Sequence, residues 1–306
     1  MEALSISPCN LCPRLCGARR SEGERGVCGA GESVLVARAA LHFWEEPPIS
    51  GESGSGTVFF THCPLHCVYC QNHELASGHA GKAVSVERLA EICLELEQEK
   101  ALNVNFVTPT HYSLQVRDAV AEARRSGFSL PVVWNTSGYE RVEVVEALAQ
   151  TVDVYLADFK YADRELALQY SNAPDYADVA LEAIGMMVET AGSPEYDEVD
   201  GMPRLTGGVI VRHLVLPGEL ENSKRSLALL WNRFGGRVLY SIMNQYTPTA
   251  SDATLERFPA LSKRVPSREY ESILDFADDL GMQDYFWQDG PAAEGSFIPA
   301  WDGAGV

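Results

Sequence analysis

The sequence predicts an α/β fold, a parallel sheet whose strands alternate with helices, preceded by a cysteine-rich module. Two observations carry that prediction. Between residues 57 and 246, short β-branched and aromatic runs alternate with stretches of helical periodicity. Before them, Cys9, Cys12, Cys16 and Cys28 fall in a glycine-rich segment that cannot build a core alone.

Residues 1–56 read as that cysteine-rich module and a linker. The pattern CNLCPRLC…GVC is interspersed with Gly17, Gly23, Gly26 and Gly29. A bound metal would supply the missing folding energy. The spacing permits structural zinc on four thiolates or an auxiliary iron–sulfur cluster, with four free thiols as the third reading. Val34 to Ala40 reads as a strand. Glu45, Glu46, Pro47 and Pro48 then make a rigid acidic turn; Glu45 and Glu46 could face the active site, but such a pair is more often solvated.

Residues 57–61, TVFFT, form a strand that runs directly into Cys63, Cys67 and Cys70. A compact loop with gaps of three and two residues can turn three thiolates toward one point. Three thiolates hold three irons of a 4Fe–4S cluster and leave the fourth open to a small molecule. Two other readings stay open: three scattered buried thiols, or a zinc knuckle whose fourth ligand comes from His62, His66 or His73.

Five more strands follow, VNFVT (104–108), PVVWN (131–135), VDVYLAD (152–158), GVIVRHLVL (208–216) and RVLYSIM (237–243). Helical periodicity fills the gaps, as in Val86, Leu89, Ala90 and Cys93, with Ser85 as the N-cap and Cys93 in the core. Six strands are fewer than an eight-fold barrel needs. In parallel barrels the carboxyl ends of the strands build the site. Here those ends carry Thr108, Thr110 and His111, then Asn135 and Ser137, then Asp158 and Lys160, then Arg212 and His213, then Asn244 and Gln245. Thr110, Ser137 and Asp163 also suit ordinary helix N-caps. Residues 194–208 form an acidic stretch expected to lie over the barrel mouth. Residues 247–306 read as a C-terminal extension packing on the barrel, with helices at 252–259 and 267–279 and with Trp287, Phe297 and Trp301 as packing residues.

Composition sets bounds. A chain of 306 residues that is 46% apolar can fill a sizeable core. A net charge of −19 repels a phosphate backbone, so no nucleic-acid partner is expected. No apolar run reaches membrane-spanning length and no signal segment opens the chain, so the expectation is a cytoplasmic protein without membrane contact. Eight cysteines in that setting point to metal or redox chemistry rather than disulfides.

The stretch CPLHCVYC resembles the cluster loop of the radical S-adenosylmethionine (SAM) superfamily, with an aromatic residue before the last cysteine. Within that superfamily the chain resembles the pyruvate formate-lyase activating enzyme-like group, in Gln71 and Asn72 after the loop and in the upstream WEEPPISGESGSGTVFF. The resemblance implies a partial (β/α)6 barrel over residues 57–246. It also implies a 4Fe–4S cluster on Cys63, Cys67 and Cys70, and an oxidoreductase that cleaves SAM to methionine and a 5′-deoxyadenosyl radical. A flavodoxin or ferredoxin would be the reductant, and a glycine of a glycyl-radical enzyme one substrate; a small molecule or peptide inside the barrel is the alternative. A non-enzymatic zinc or electron-transfer protein is the rival from another class. With SAM as ligand, Tyr69 suits adenine, and Thr108, Thr110 and His111 suit the methionine end. Asn135, Ser137, Asp158 and Lys160 suit the carboxylate and ribose, while His213, Asn244 and Gln245 complete the rim. The resemblance also puts a DFK-like stretch, here 158–160, on the SAM-facing rim. Two departures stand out. VTPTH replaces the group's Gly-Gly-Glu stretch, and ELASGHAGKAVS replaces its cysteine-bearing insertion. Both bear on the glycyl-radical substrate rather than on SAM binding.

Overall fold

The computed structural model describes residues 3–288 and 299–306. Residues 3–33 are loops held by backbone bonds such as Cys9 N–H to Ala18 O and Gly26 N–H to Ala30 O. Strand β1 (Val34–His42) follows, then a short helix α1 (Pro47–Ser50) and β2 (Ser55–Phe60). The chain continues through α2 (His73–Ala76), β3 (Lys82–Val84), α3 (Val86–Gln98) and β4 (Val104–Val107). Next come α4 (Ser113–Arg125), β5 (Val132–Thr136), α5 (Val142–Ala147), β6 (Val154–Asp158), α6 (Arg164–Ser171) and α7 (Tyr176–Ala191). The described elements end with β7 (Glu195–Val199), β8 (Met202–Leu214), α8 (Leu220–Phe234), β9 (Leu239–Met243), α9 (Asp252–Arg257) and α10 (Ser267–Asp279).

Strands β2, β4, β5, β6, β8 and β9 pair in parallel in that order, the parallel sheet expected from the alternation of strands and helices and the open barrel implied by the resemblance. Side-chain alternation splits each strand between two layers. Val58, Phe60, Val104, Phe106, Val132, Trp134, Tyr155, Ala157, Val209 and Val211 face the helices and form the main core. Val133, Val154, Leu156 and Ile210 face inward and are plugged by Ile49 of α1 and Leu205. Ser85 caps α3 by accepting from Arg88 N–H at 3.1 Å, and Cys93 is fully buried in the core.

Three segments differ from the sequence expectation. The strand at 34–42 does not stay with the N-terminal module: β1 pairs antiparallel with β2, and β3 with β1, extending the barrel sheet. Residues 194–208 are not a lid over the cysteine loop. They form a hairpin of β7 and the first half of β8, which ends where Gly208 pairs with Val154 at the start of β6. The hairpin therefore sits at the end of the barrel opposite the cysteines, where Arg204 bonds Leu102 O just before β4. Tyr196, Asp197, Glu198 and Val199 pair across Leu205, Arg204, Pro203 and Met202, which a reading for acidity alone does not detect. Finally, the C-terminal segment lies along strand edges. Phe286 exchanges backbone bonds with β9, while Gly303 and Ala304 bond to Ala37 and Ala39 of β1. Trp301 packs edge-on against Phe59 at 5.3 Å and Trp287 is 55% exposed, whereas Phe297 lies outside the described residues.

Candidate functional site

The cysteine loop leaves β2 through a sharp turn. His62 and His66 take left-handed backbone angles, at φ +71° and +50°. That turn brings Cys63, Cys67 and Cys70 onto the wall of a cavity of about 430 Å³ inside the barrel, a size that suits a small-molecule ligand. Leu65 N–H points at the Cys63 sulfur (3.4 Å), and Cys70 N–H closes a turn on Cys67 O (3.1 Å). The Ser171 hydroxyl donates to the Cys67 sulfur at 3.1 Å; Tyr161 OH lies 2.7 Å from that hydroxyl and donates to Tyr69 OH at 2.8 Å. Burial raises the thiol of Cys63 to about 11 and that of Cys70 to about 12.

Below the loop, the inward positions of four strands hold a buried charged network. Arg212 on β8 stands beside Asp158 on β6, its register partner, and donates to it at 2.9 Å. The same guanidinium donates to Asn135 Oδ1 (2.6 Å) and to Glu45 (3.0 Å). Asn105 and Asn135 both donate to the other Glu45 oxygen, at 3.1 and 3.0 Å. Lys160 donates to Asp158 at 2.6 Å. Burial alone would raise the Asp158 carboxyl; Arg212 and then Lys160 outweigh it and hold the group below its usual range. Burial pushes Glu46 up, opposed by Arg212 and reinforced by Glu45.

The frame behind this network is rigid. Tyr176 OH lies 2.7 Å from Ser137 O and 2.9 Å from Asp158 O, and it accepts from Lys160 N–H at 2.9 Å. One buried hydroxyl thus ties the loops after β5 and β6 together. Gly138 lets those loops touch. At φ +75°, a Cβ there would stand 2.2 Å from Asp158 O.

Seven of the residues expected to contact SAM line this cavity: Tyr69, Thr108, Asn135, Ser137, Asp158, Lys160 and Gln245. Four do not, and local geometry says why. Thr108 adopts φ +56°, which turns the chain immediately after β4. Thr110 then donates to buried Glu140 at 2.7 Å, and His111 Nε2 sits 2.8 Å from Thr61 O. His213 alternates with Arg212, so its ring points outward, with Nδ1 2.7 Å from Phe159 O. Asn244 uses its backbone N–H on Gln288 Oε1 at 2.8 Å and is absent from the cavity wall. The sequence reading misses Glu45, taken as solvated; its side chain is 10% exposed. It names Arg212 without assigning it a role, although an arginine at an inward position of an otherwise apolar strand is a usable signal.

The N-terminal module packs beside the cysteine loop. Arg14 donates to Pro64 O at 2.9 Å, to Ser171 O at 2.8 Å and to Asn172 O, and it stacks over Tyr139. Gly29 and Gly78 leave no room for a Cβ against the His62 ring (2.8 and 2.1 Å). Cys9, Cys12 and Cys28 are buried and Cys16 is half-buried. Cys12 feels the charges of Cys28, Cys9 and Cys16, and burial raises its thiol to about 12. Among the described residues, no three His, Cys, Asp or Glu side chains are arranged to chelate a single ion. Cluster ligation makes no such demand, because each thiolate binds a separate iron.

The family model of the radical SAM superfamily matches residues 57–223, more than half of the chain. The chain belongs to the radical SAM superfamily. An uncharacterized protein of Methanocaldococcus jannaschii is 28% identical over 283 residues, covering 90% of this chain and 75% of that protein. Among solved structures, Streptococcus suis SuiB bound to the precursor peptide SuiA superposes with a TM-score of 0.50 at 14% identity. That match covers 74% of this chain but only 46% of SuiB, and it speaks to fold alone. A radical SAM methyltransferase from Sphaerobacter thermophilus aligns with a TM-score of 0.49 at 11% identity, over 76% of this chain and 67% of that one. The family match is to the superfamily as a whole and does not carry the activating-enzyme grouping.

Membership implies an enzyme with a 4Fe–4S cluster and SAM, which displaces the non-enzymatic rival. The residues present fit these groups. Three thiols share one cavity wall, and coordination to a cationic metal reverses the protonation that burial favours. Asp158 and Lys160 line the same cavity as the three thiols. No helix among the described residues is long and apolar enough to cross a membrane.

Proposed function

We propose that this chain reductively cleaves SAM at the Cys63–Cys67–Cys70 loop and abstracts hydrogen from an extended segment of a polypeptide substrate. The observation behind the substrate class is the lining of the cavity. Its wall includes the cysteine loop and also His42, Phe43 and Trp44, with the His42 ring edge-on to Phe59 at 5.8 Å. Phe43 and Trp44, 48% and 57% exposed, add apolar side chains to this wall, in keeping with a polypeptide substrate. A glycine in a glycyl-radical enzyme is one such substrate. A small molecule enclosed by the 194–208 segment loses its support, because that hairpin lies at the opposite end of the barrel.

Cys63, Cys67 and Cys70 would hold the cluster, with Asp158 and Lys160 contacting SAM. When bound, the cluster and SAM supply the electron and the 5′-deoxyadenosyl radical. The protein's part is orientation and exclusion of water. Arg212, fixed by Glu45, Asn135 and Asp158, holds Asp158 and hence Lys160 in place. Ser171 hydrogen-bonds the Cys67 sulfur, and Tyr69 packs among Tyr161, Tyr170 and Tyr246 to wall off the loop. Cys9, Cys12, Cys16 and Cys28 would bind a second metal; a 4Fe–4S cluster accords with the lack of a single-ion chelate among the described residues, whereas zinc would need the four sulfurs drawn together. A cytoplasmic setting with a flavodoxin or ferredoxin reductant accords with this chemistry.

The anaerobically reconstituted chain, reduced with dithionite, should release methionine and 5′-deoxyadenosine from SAM. A polypeptide substrate deuterated at the reacting position should place deuterium in the 5′-deoxyadenosine. No SAM cleavage by the fully loaded chain would overturn the proposal. Cleavage with deuterium transfer only from small molecules would overturn the substrate class.

A further inference from the structure

Arg20 is one of the largest fully buried side chains, 1% exposed, in a module made of loops. Its guanidinium donates to Gly31 O at 2.7 Å and to His111 O at 2.6 Å, and it lies over the Tyr112 ring at 5.5 Å. Its nearest approach to the cysteine group is Nη1 to the Cys9 sulfur, 3.8 Å. The remaining nitrogen, Nη2, is buried without a partner. Among the described residues no carboxylate pairs with Arg20. A guanidinium stays charged in a protein, and a buried charge without a counter-charge is strongly disfavoured.

We propose that Arg20 is the buried counter-cation of an anionic metal–thiolate centre held by Cys9, Cys12, Cys16 and Cys28. The inference rests on the second-metal reading given above and adds a charge requirement to it. Four thiolates outweigh a divalent ion or a dicationic cluster, so either metal leaves a net negative centre beside Arg20. Neutral free thiols leave the guanidinium uncompensated. Crowding supports a shared centre: a Cβ on Gly26 would meet the sulfurs of Cys28 at 3.2 Å and Cys16 at 3.5 Å. Arg20 is thus a positioning residue for the N-terminal metal, placed by the loop after β4 through His111 O.

A structural alternative exists, in which Arg20 only clips two carbonyls together. Arg20→Lys and Arg20→Gln separate the two roles, since lysine keeps the charge and glutamine keeps hydrogen-bond donors without it. The readout is anaerobic alkylation of Cys9, Cys12, Cys16 and Cys28 in the native, metal-loaded full-length chain, mapped by peptide mass spectrometry. Circular dichroism confirms that each variant is folded. The wild type and Arg20→Lys should stay protected, while Arg20→Gln should alkylate about tenfold faster, as outer-shell changes alter metal affinity 10–100-fold. Protection in Arg20→Gln equal to the wild type, or loss of protection in Arg20→Lys alone, would overturn the counter-cation role. Free alkylation of all four cysteines in the wild type, with no metal released, would instead overturn the second-metal reading itself.

Discussion

At the scale of single residues, the site depends on charges that cannot be removed one at a time. Asp158 answers both Arg212 and Lys160 within 2.9 Å. Removing it leaves buried Lys160 without its carboxylate and Arg212 with Glu45, so Asp158→Ala should cost about 3–5 kcal/mol in urea unfolding, the range for breaking a buried pair. Lys160 reaches the cavity from a tethered backbone, so Lys160→Ala should weaken SAM binding in calorimetry without changing iron content. Equal affinity would reduce the Asp158–Lys160 pair to a structural role. His213 gives a pH signature. Burial lowers it to about 4 from an ordinary 6.5. Between those values the unfolded chain binds a proton that the folded one refuses, so stability falls as pH drops through that window. The loss is about 3 kcal/mol for one such group. His213→Gln should flatten the dependence of urea stability on pH between 4 and 6.5; an unchanged slope would contradict this. At this scale the meeting of Cys63, Cys67, Cys70, Asn135, Asp158 and Lys160 at one cavity was legible, because strand ends of a parallel sheet converge. Thr110 and His111 were misplaced because the left-handed Thr108 redirects the chain, which residue type alone does not reveal. Glu45 was weighed only by its acidity, since its place in the barrel is set by long-range seating: Asn103 donates to Ile49 O of α1, and Ser50 of α1 accepts from Glu45 N–H.

At the scale of elements, close approach between neighbouring loops builds the rim. Gly138 has both a left-handed φ and backbone against its missing Cβ. Gly138→Ala should therefore destabilise the chain by about 1–3 kcal/mol, the cost of strain at such a position. It should also weaken SAM binding, because Asp158 O is the atom displaced. Calorimetry of the still-folded variant checks this, and unaltered binding would mean that the two loops move independently. The β7–β8 hairpin offers the opposite case. Its acidic residues Glu195, Asp197 and Glu198 are exposed and distant from the cysteine loop. Changing them together to Gln, Asn and Gln should leave SAM cleavage unchanged, whereas a large loss would restore the lid reading. The alternation of strand and helix was readable because period-2 and period-3.6 patterns differ over these lengths. The antiparallel β1 and the edge contacts of Gly303 and Ala304 were not readable as parts of the barrel sheet, because sheet neighbours are set by long-range pairing.

At the scale of the whole molecule, two cysteine groups far apart in sequence lie on one side of an acidic α/β barrel. Arg14 joins them, reaching from the CPRLC loop to Pro64 beside Cys63 and to Ser171, whose hydroxyl meets Cys67. The net charge is −19, and the exposed aromatics Phe43 and Trp44 line the cavity. The central claim is that Cys63, Cys67 and Cys70 hold an iron–sulfur cluster with one iron open to SAM. The most direct measurement is electron paramagnetic resonance of the anaerobically reduced chain with and without SAM, in the wild type and in Cys67→Ala. The wild-type cluster signal should change shape on adding SAM, and that SAM-responsive signal should be missing from Cys67→Ala even if the N-terminal metal persists. A SAM-induced change of full amplitude in Cys67→Ala, or none in a fully iron-loaded wild type, would contradict the account.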